Sequence, residues 1–522
     1  MLRLSANPRR VGAIAVGTLM ALTVTTPALA APDPAKLAEK LVKRVKVNNV
    51  VRHLNAFQRL GFQNGDTRAA STPGHAASAE YVQAQLEAAG YLVARQEFPF
   101  TFEETLAESA TVVTPAGGPT LDPTVMTYSA NTPEGGVTAD LVVLPDLIAD
   151  PTPGCEATDF PAADLTGKIV LIQRGSCTFQ IKHDNAAARG VAGVLVYQNN
   201  TDPPDTTVNG RLTEAGSGVV PIAGLSKIEG QALIDLAATG PVTIDLELRV
   251  LSEERTSFNL IAETQTGRND NVVMAGAHLD SVTEGPGIND NGSGSAALLE
   301  IAIQAADTKP KNKLRFAWWS AEEYGLVGSG YYASQLGLEE QLDIALYLNF
   351  DMIGSPNFAR FIYDGDDSDA EGAGAGPPGS AQIEDVFEAF FVGRGLAHEG
   401  TDFSGRSDYQ GFIDIGIPAG GLFTGAEGRK TAEQAATYGG TADVSYDPCY
   451  HSACDTISNV NTQVLDEMSD AIAYTIGWFG TDTSTVNGSV SAKQLRRQTA
   501  EAKVARSKSA KATTVHPDHA GS

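Results

Sequence analysis

The chain has 522 residues, a formal net charge of −26, and 42% hydrophobic and 19% charged residues. That composition excludes a disordered or fibrous protein, and the length implies two domains with terminal extensions. So acidic a chain lacks the basic surface a general nucleic-acid binder needs to displace counterions, and past its leader no stretch reaches the roughly 20 apolar residues of a membrane span.

Arg3, Arg9 and Arg10 precede an apolar run at 11–24, and Ala28-Leu29-Ala30 offers the small residues that a signal peptidase requires. Residues 1–30 read as a secretory signal peptide, too short for a membrane anchor. No cysteine follows the expected cut to carry a lipid, so the protein is expected to be released outside the cell. Residues 31–105 read as mainly helical, with 81–90 a helix closed by Gly90. A short propeptide is possible at their start, where Lys36, Lys40, Lys43 and Arg44 gather. From 106 to 250 the pattern turns to short β-rich runs broken by Pro and Gly, at 137–144, 168–173 and 193–197, with a helix ending at 186–190. From 251 to 485 apolar strands alternate with longer helices, which implies an α/β fold with a mostly parallel or mixed sheet sandwiched by helices. Beyond 486 the chain is polar and basic, with Lys493, Arg496, Arg497 and Lys503 and almost no aromatics, the composition of a disordered tail.

Four cysteines fit an oxidising compartment. Two disulfides are expected from Cys155, Cys177, Cys449 and Cys454, the last two closing a short loop around Tyr450 and His451. A zinc site of four thiolates is the alternative, but the chain has no CxxC pair.

The chemistry lies in the third region. A buried-strand pattern at 271–277 ends in His278-Leu279-Asp280, one at 314–319 in Ser320-Ala321-Glu322-Glu323, and one at 345–350 in Asp351-Met352. Sites in open α/β sheets form at the carboxyl ends of strands, where the loops diverge. Three strands thus deliver His, Glu and Asp to one edge. Between the first two, the polar glycine loop 287–295 leads into a helix expected from Ala296. Alone it could be a helix cap, and it lacks the spacing of a nucleotide-binding loop. Beside three strand-end ligands, Asp290 reads as a carboxylate bridging two metals. Of eight histidines, His278 and His451 fall in the densest clusters of carboxylates and glycines. Imidazole plus carboxylate without thiolate suits zinc with an open coordination position. Asp280 is spaced to accept the other ring N–H of His278 and set its tautomer.

These segments carry a resemblance. AGAHLDS (275–281), GINDNGSGSAA (287–297), FAWWSAEEYGLVGS (316–329), LNFDMIGSP (348–356), GRSDY (405–409), GGLFTGA (420–426) and CYHSACD (449–455) resemble the motifs of the two-zinc aminopeptidases of peptidase family M28, nearest the Streptomyces-type enzymes secreted by actinobacteria. Residues 106–250, through 165–175 and Cys177, resemble a protease-associated (PA) domain, which in relatives is inserted into the peptidase domain. The resemblance implies a zinc-exopeptidase fold with 31–105 and 251–485 as one discontinuous peptidase domain. It assigns His278 and Asp351 to one zinc, Glu323 and His451 to the other, and Asp290 to both. Glu322 falls on the general base, Tyr450 on the residue steadying the oxyanion, Met352 and Phe423 on the apolar pocket, and Arg406 on a substrate contact. The implied activity is removal of large apolar, Leu-like N-terminal residues from peptides or proteins, by a monomer with no nucleic-acid or membrane partner. A carboxypeptidase or glutaminyl cyclase on the same scaffold, or a binding protein that lost the chemistry, are the alternatives, and no ligand is lost. Asp466 and Asp470 match acids that bind calcium in certain relatives. The residues around Arg44 offer no matching acid, which counts against calcium. Tyr409 stands where relatives often have His.

Overall fold

The computed structural model describes residues 33–488 apart from 200–204, 215 and 371–373. The signal-peptide and basic-tail readings lie outside the described residues. The strand expected at 271–277 spans Arg268–His278 and is buried from Asn271 onward. Asn312–Trp319 and Ile344–Phe350 flank it, both parallel to it, and Ala419–Phe423 lies parallel beyond the latter. The stretches 272–277 and 344–350 are nearly continuous apolar runs because both faces are covered, whereas Asn312–Trp319 becomes wholly apolar only from Phe316. Alternate residues enter different cores, as a pleated strand dictates. Val273, Ala275 and Ala277 join a core with Leu298, Leu299, Phe387 and Ile472, whereas Met274 joins one with Trp319, Tyr347 and Phe412.

The N-terminal region departs from its helical reading. Helices Pro34–Arg44, Val47–Phe62 and Pro73–Ala88 are followed by a strand, Leu92–Thr114, paired antiparallel with Thr243–Glu263 along almost its whole length. A period-2 signal was present: Phe98, Phe100 and Phe102 are buried and alternate with polar residues and Pro99. These two strands continue past 105/106 and 250/251, where the composition changes, with a β-bulge between Thr105 and Ala107, and Thr243–Glu263 also pairs with Asn312–Trp319 and Val137–Val143. They therefore join the central sheet to a second set of parallel strands, Val137–Val143, Ile169–Gln173, Gly193–Tyr197 and Ile222–Leu225.

Helix Pro34–Arg44, which holds most of the possible propeptide, buries Ala38, Leu41 and Val42. It packs against helix Thr462–Thr481 so closely that a Cβ on Gly477 would lie 2.6 Å from the Ala38 Cα. Cutting it away would expose core. The disulfides Cys155–Cys177 and Cys449–Cys454 are both formed. Among the described residues no helix is long and apolar enough to cross a membrane.

Candidate metal centre and active site

The carboxyl ends of the parallel strands open on one edge of the sheet. His278 ends its strand, Glu322 and Glu323 follow Asn312–Trp319, and Asp351 follows Ile344–Phe350. Asp290 comes from the loop before a helix that begins at Gly292 rather than at Ala296. The side chain of Asn291 accepts from Gly294 N (2.9 Å), capping the first turn four residues earlier than expected. Small residues are required there, since a Cβ on Gly294 would fall 2.2 Å from the Phe350 carbonyl oxygen.

The five expected metal ligands converge. His278 Nε2 lies 3.3 Å from Asp290 Oδ1 and 3.2 Å from Asp351 Oδ1. His451 Nε2 lies 3.2 Å from Asp290 Oδ2 and 3.0 Å from Glu323 Oε2. The two oxygens of Asp290 thus address two different histidines, the arrangement of a bridging carboxylate. Glu322 stands with His278 and Asp351, their polar atoms within 4.8 Å of one another.

Electrostatics mark the site as built for cations. Asp280, Asp290, Glu322, Asp351 and Asp408 are all buried. Burial, reinforced by neighbouring carboxylates, pushes Glu322 well above the usual carboxylate range and Glu323 up to about 7. Asp408 is likewise raised to about 7, and burial raises Asp280 to about 6. Burial opposes protonation of the histidines, yet Asp351 and Glu322 hold His278 well above its ordinary value. Glu323 and Asp290 likewise push His451 up to about 11. Glu323 Oε1 is buried without a hydrogen-bond partner. Crowded carboxylates with an orphaned oxygen are costly unless a cation neutralises them, so the donor set fits divalent metal and, lacking thiolate, zinc with open positions.

Surrounding groups hold the ligands in place. Ser407 donates to Asp351 Oδ2 (2.6 Å) and receives a bond from Asn349 Nδ2 (2.8 Å). Ser295 donates to the His278 carbonyl (2.6 Å). The Asp455 carboxylate accepts from Asn289 N (2.8 Å) and Asp290 N (3.0 Å), pinning Asp290 by its main chain. His278 Nδ1 lies 3.1 Å from the Asp280 carbonyl oxygen and 3.8 Å from its carboxylate, which accepts from Glu322 N instead (3.3 Å). The nearer partner of the ring is therefore main chain. Arg68, fully buried, donates from Nε to the Pro286 carbonyl (2.6 Å) and from its two terminal nitrogens to the carbonyls of Leu279 and Gly287. It braces the single loop 279–291 from just after His278 to just before Asp290.

Beside the cluster lies a pocket of about 100 Å³ whose wall includes Met352, Phe423, Arg406, Tyr409 and Tyr450. The Tyr450 ring stacks on His451 with centroids 3.8 Å apart, and its hydroxyl accepts from Arg406 Nη2 (3.2 Å). Arg406 is anchored in turn by Glu427 (2.7 Å). Burial, with Asp290 and Glu323 nearby, raises the Tyr450 pKa far above its ordinary value, so its hydroxyl stays protonated. Tyr409 packs edge-on against Tyr363 and Phe403 and accepts from Gly405 N (2.9 Å). Asp470, one of the two acids matched to calcium, faces Arg394 at 3.5 Å. Ser407 and Asp455 sit inside motifs already singled out, each one or two residues from a named residue. Arg68 had no local signal, since nothing in its own segment points to the loop it braces.

An aminopeptidase of Pseudomonas aeruginosa is 46% identical over 474 residues, 88% of this chain and 85% of that protein. Residues 259–476 match the model of Peptidase family M28. The chain belongs to peptidase family M28. Residues 137–233 of this peptidase match the PA domain, within the strands that branch from the long antiparallel pair. Leucine aminopeptidase 2 of Trichophyton tonsurans is 42% identical over 449 residues, 85% of this chain and 86% of that protein. Among solved structures, BSAP, a zinc aminopeptidase from Bacillus subtilis, superimposes with a TM-score of 0.60 at 25% identity, covering 86% of this chain and 97% of that one.

Proposed function

We propose that this peptidase is an exported, two-zinc aminopeptidase that removes Leu-like residues from the N-termini of peptides. The observation that carries the reading is Asp290, whose two carboxylate oxygens each face a different histidine. His278 and Asp351 would hold one ion, Glu323 and His451 the other, and Asp290 both. Bound zinc supplies Lewis-acid polarisation of the scissile carbonyl and a more acidic water. Glu322 takes the proton of the attacking water and returns it to the leaving amine, as general acid–base catalysis requires. Tyr450, with Arg406 donating to its oxygen, keeps its own proton free to stabilise the tetrahedral oxyanion. The Cys449–Cys454 loop orients Tyr450 and His451 together. Met352 and Phe423 give the small pocket an apolar wall, and the leucine aminopeptidase named above points the same way. Export rests on the leader at 1–30.

Leucyl-p-nitroanilide and its N-acetyl form test the reading with the purified protein. The free amine alone should be cleaved, with activity lost to a zinc chelator and restored by zinc. Equal cleavage of both forms, or of neither by zinc-loaded protein, would overturn it.

A further inference from the structure

Glu323 lines two spaces. One is the small pocket beside Met352 and Phe423, and the other is a groove of about 1060 Å³ between the peptidase sheet and the PA region. The long strands form its floor at 99–105 and 250–254. One wall is the peptidase loop 282–284 with Tyr324, and the other is the PA segment 125–129 with Arg211. An aminopeptidase seats only the first residue of its substrate, so the rest of the peptide must leave the cluster by a different opening. The groove is ten times larger than the pocket and reaches the cluster at Glu323. Glu103, Glu104, Glu254 and Glu284 line it, against the single guanidinium of Arg211. Arg211 is already engaged: it lies 5.3 Å over the Tyr128 ring and donates to that hydroxyl (3.3 Å). Glu254 accepts from Thr101 (2.6 Å), and both Glu254 and Glu284 are exposed to solvent.

We infer that this groove binds the substrate chain beyond the cleaved bond and selects peptides carrying Lys or Arg there over acidic ones. The inference rests on the aminopeptidase reading and extends it to substrate class. A groove lined by one sign of charge raises the local concentration of a ligand of the opposite sign and disfavours one of the same sign, an effect that salt screens. A chromogenic amide, with nothing past the cleaved bond but a small ring, senses none of this.

The test compares Leu-Gly-Lys-Lys-Lys-amide with Leu-Gly-Glu-Glu-Glu-amide, with leucyl-p-nitroanilide as the reference. The lysine peptide should have a kcat/KM higher by about tenfold or more at low ionic strength, narrowing as salt screens the groove. In a Glu104→Gln, Glu254→Gln, Glu284→Gln variant the preference should fall to within about twofold while the reference substrate is cleaved as before. Equal hydrolysis of the two peptides by the wild type, or a preference that survives in the variant, overturns the inference. Failure to cleave leucyl-p-nitroanilide overturns the aminopeptidase reading instead. The salt dependence of the wild type decides the matter if the triple variant does not fold.

Discussion

Arg68→Lys separates charge from geometry at the base of the metal centre. The guanidinium spreads three donor nitrogens over the carbonyls of Leu279, Pro286 and Gly287. Burial lowers its pKa to about 10, so it remains charged at neutral pH. Lysine keeps that charge but carries its protons on one nitrogen, which cannot span carbonyls at the two ends of the 279–287 stretch of one loop. Two of the three should be left buried and unmet, at about 1–3 kcal/mol each, so the loss in stability should be about 2–6 kcal/mol. That loop follows His278 directly and carries Asp290, and loosening groups that orient metal ligands costs about 10–100-fold in affinity. Urea unfolding of metal-free protein reads the first effect, and competition with a fluorescent zinc chelator reads the second. If Arg68→Lys matches wild type in both, the forked geometry is irrelevant and only the charge matters. A stability loss with unchanged zinc affinity would leave Arg68 as a fold residue with no hold on the site.

Three further outcomes follow from the geometry. Glu322→Gln should lower kcat for leucyl-p-nitroanilide by about a hundredfold to ten-thousandfold while retaining zinc, measured by metal analysis beside kinetics; a smaller loss would place the base elsewhere. Burial, with Arg68 and Arg95 adding to it, lowers His75 to about 3. The folded state therefore holds it neutral, and the stability it contributes above pH 6.5 is lost as pH falls toward 3. Relative to His75→Gln, the wild type should lose about 1.5 kcal/mol between pH 6.5 and 5 by urea midpoints, and parallel profiles would refute the assignment. Replacing Cys449 and Cys454 by Ser opens a loop of separation 5. The loop-entropy cost should be about 2 kcal/mol, together with weaker zinc binding through His451, whereas an unchanged zinc titration would show that the loop holds its shape without the bond.

Much of the site was legible in order along the chain. Strands ending in His278, Glu322-Glu323 and Asp351 could be read because a strand buried on both faces must be an apolar run, and a polar residue at its end marks the sheet edge. The glycine loop announced Asp290 because only small residues tolerate the approach to Phe350. What the amino acids could not express were relations between distant segments. The strand Leu92–Thr114 announced itself locally only in the alternation at 98–102, and its full length was hidden because the partner strand lies some 150 residues later. His278 meets the Asp280 carbonyl before its carboxylate, an outcome decided by backbone path rather than residue type. Arg68 is the clearest case: by itself it is one more surface-type cation, and folding alone sets it among three carbonyls on a loop more than 200 residues away. Sequence by itself determined the inventory of candidate ligands and the edge on which they gather, because each strand writes its own burial into its composition. Tertiary structure decided how the candidate ligands are held and opened the groove beside Glu323, because hydrogen bonds and clefts belong to pairs of segments.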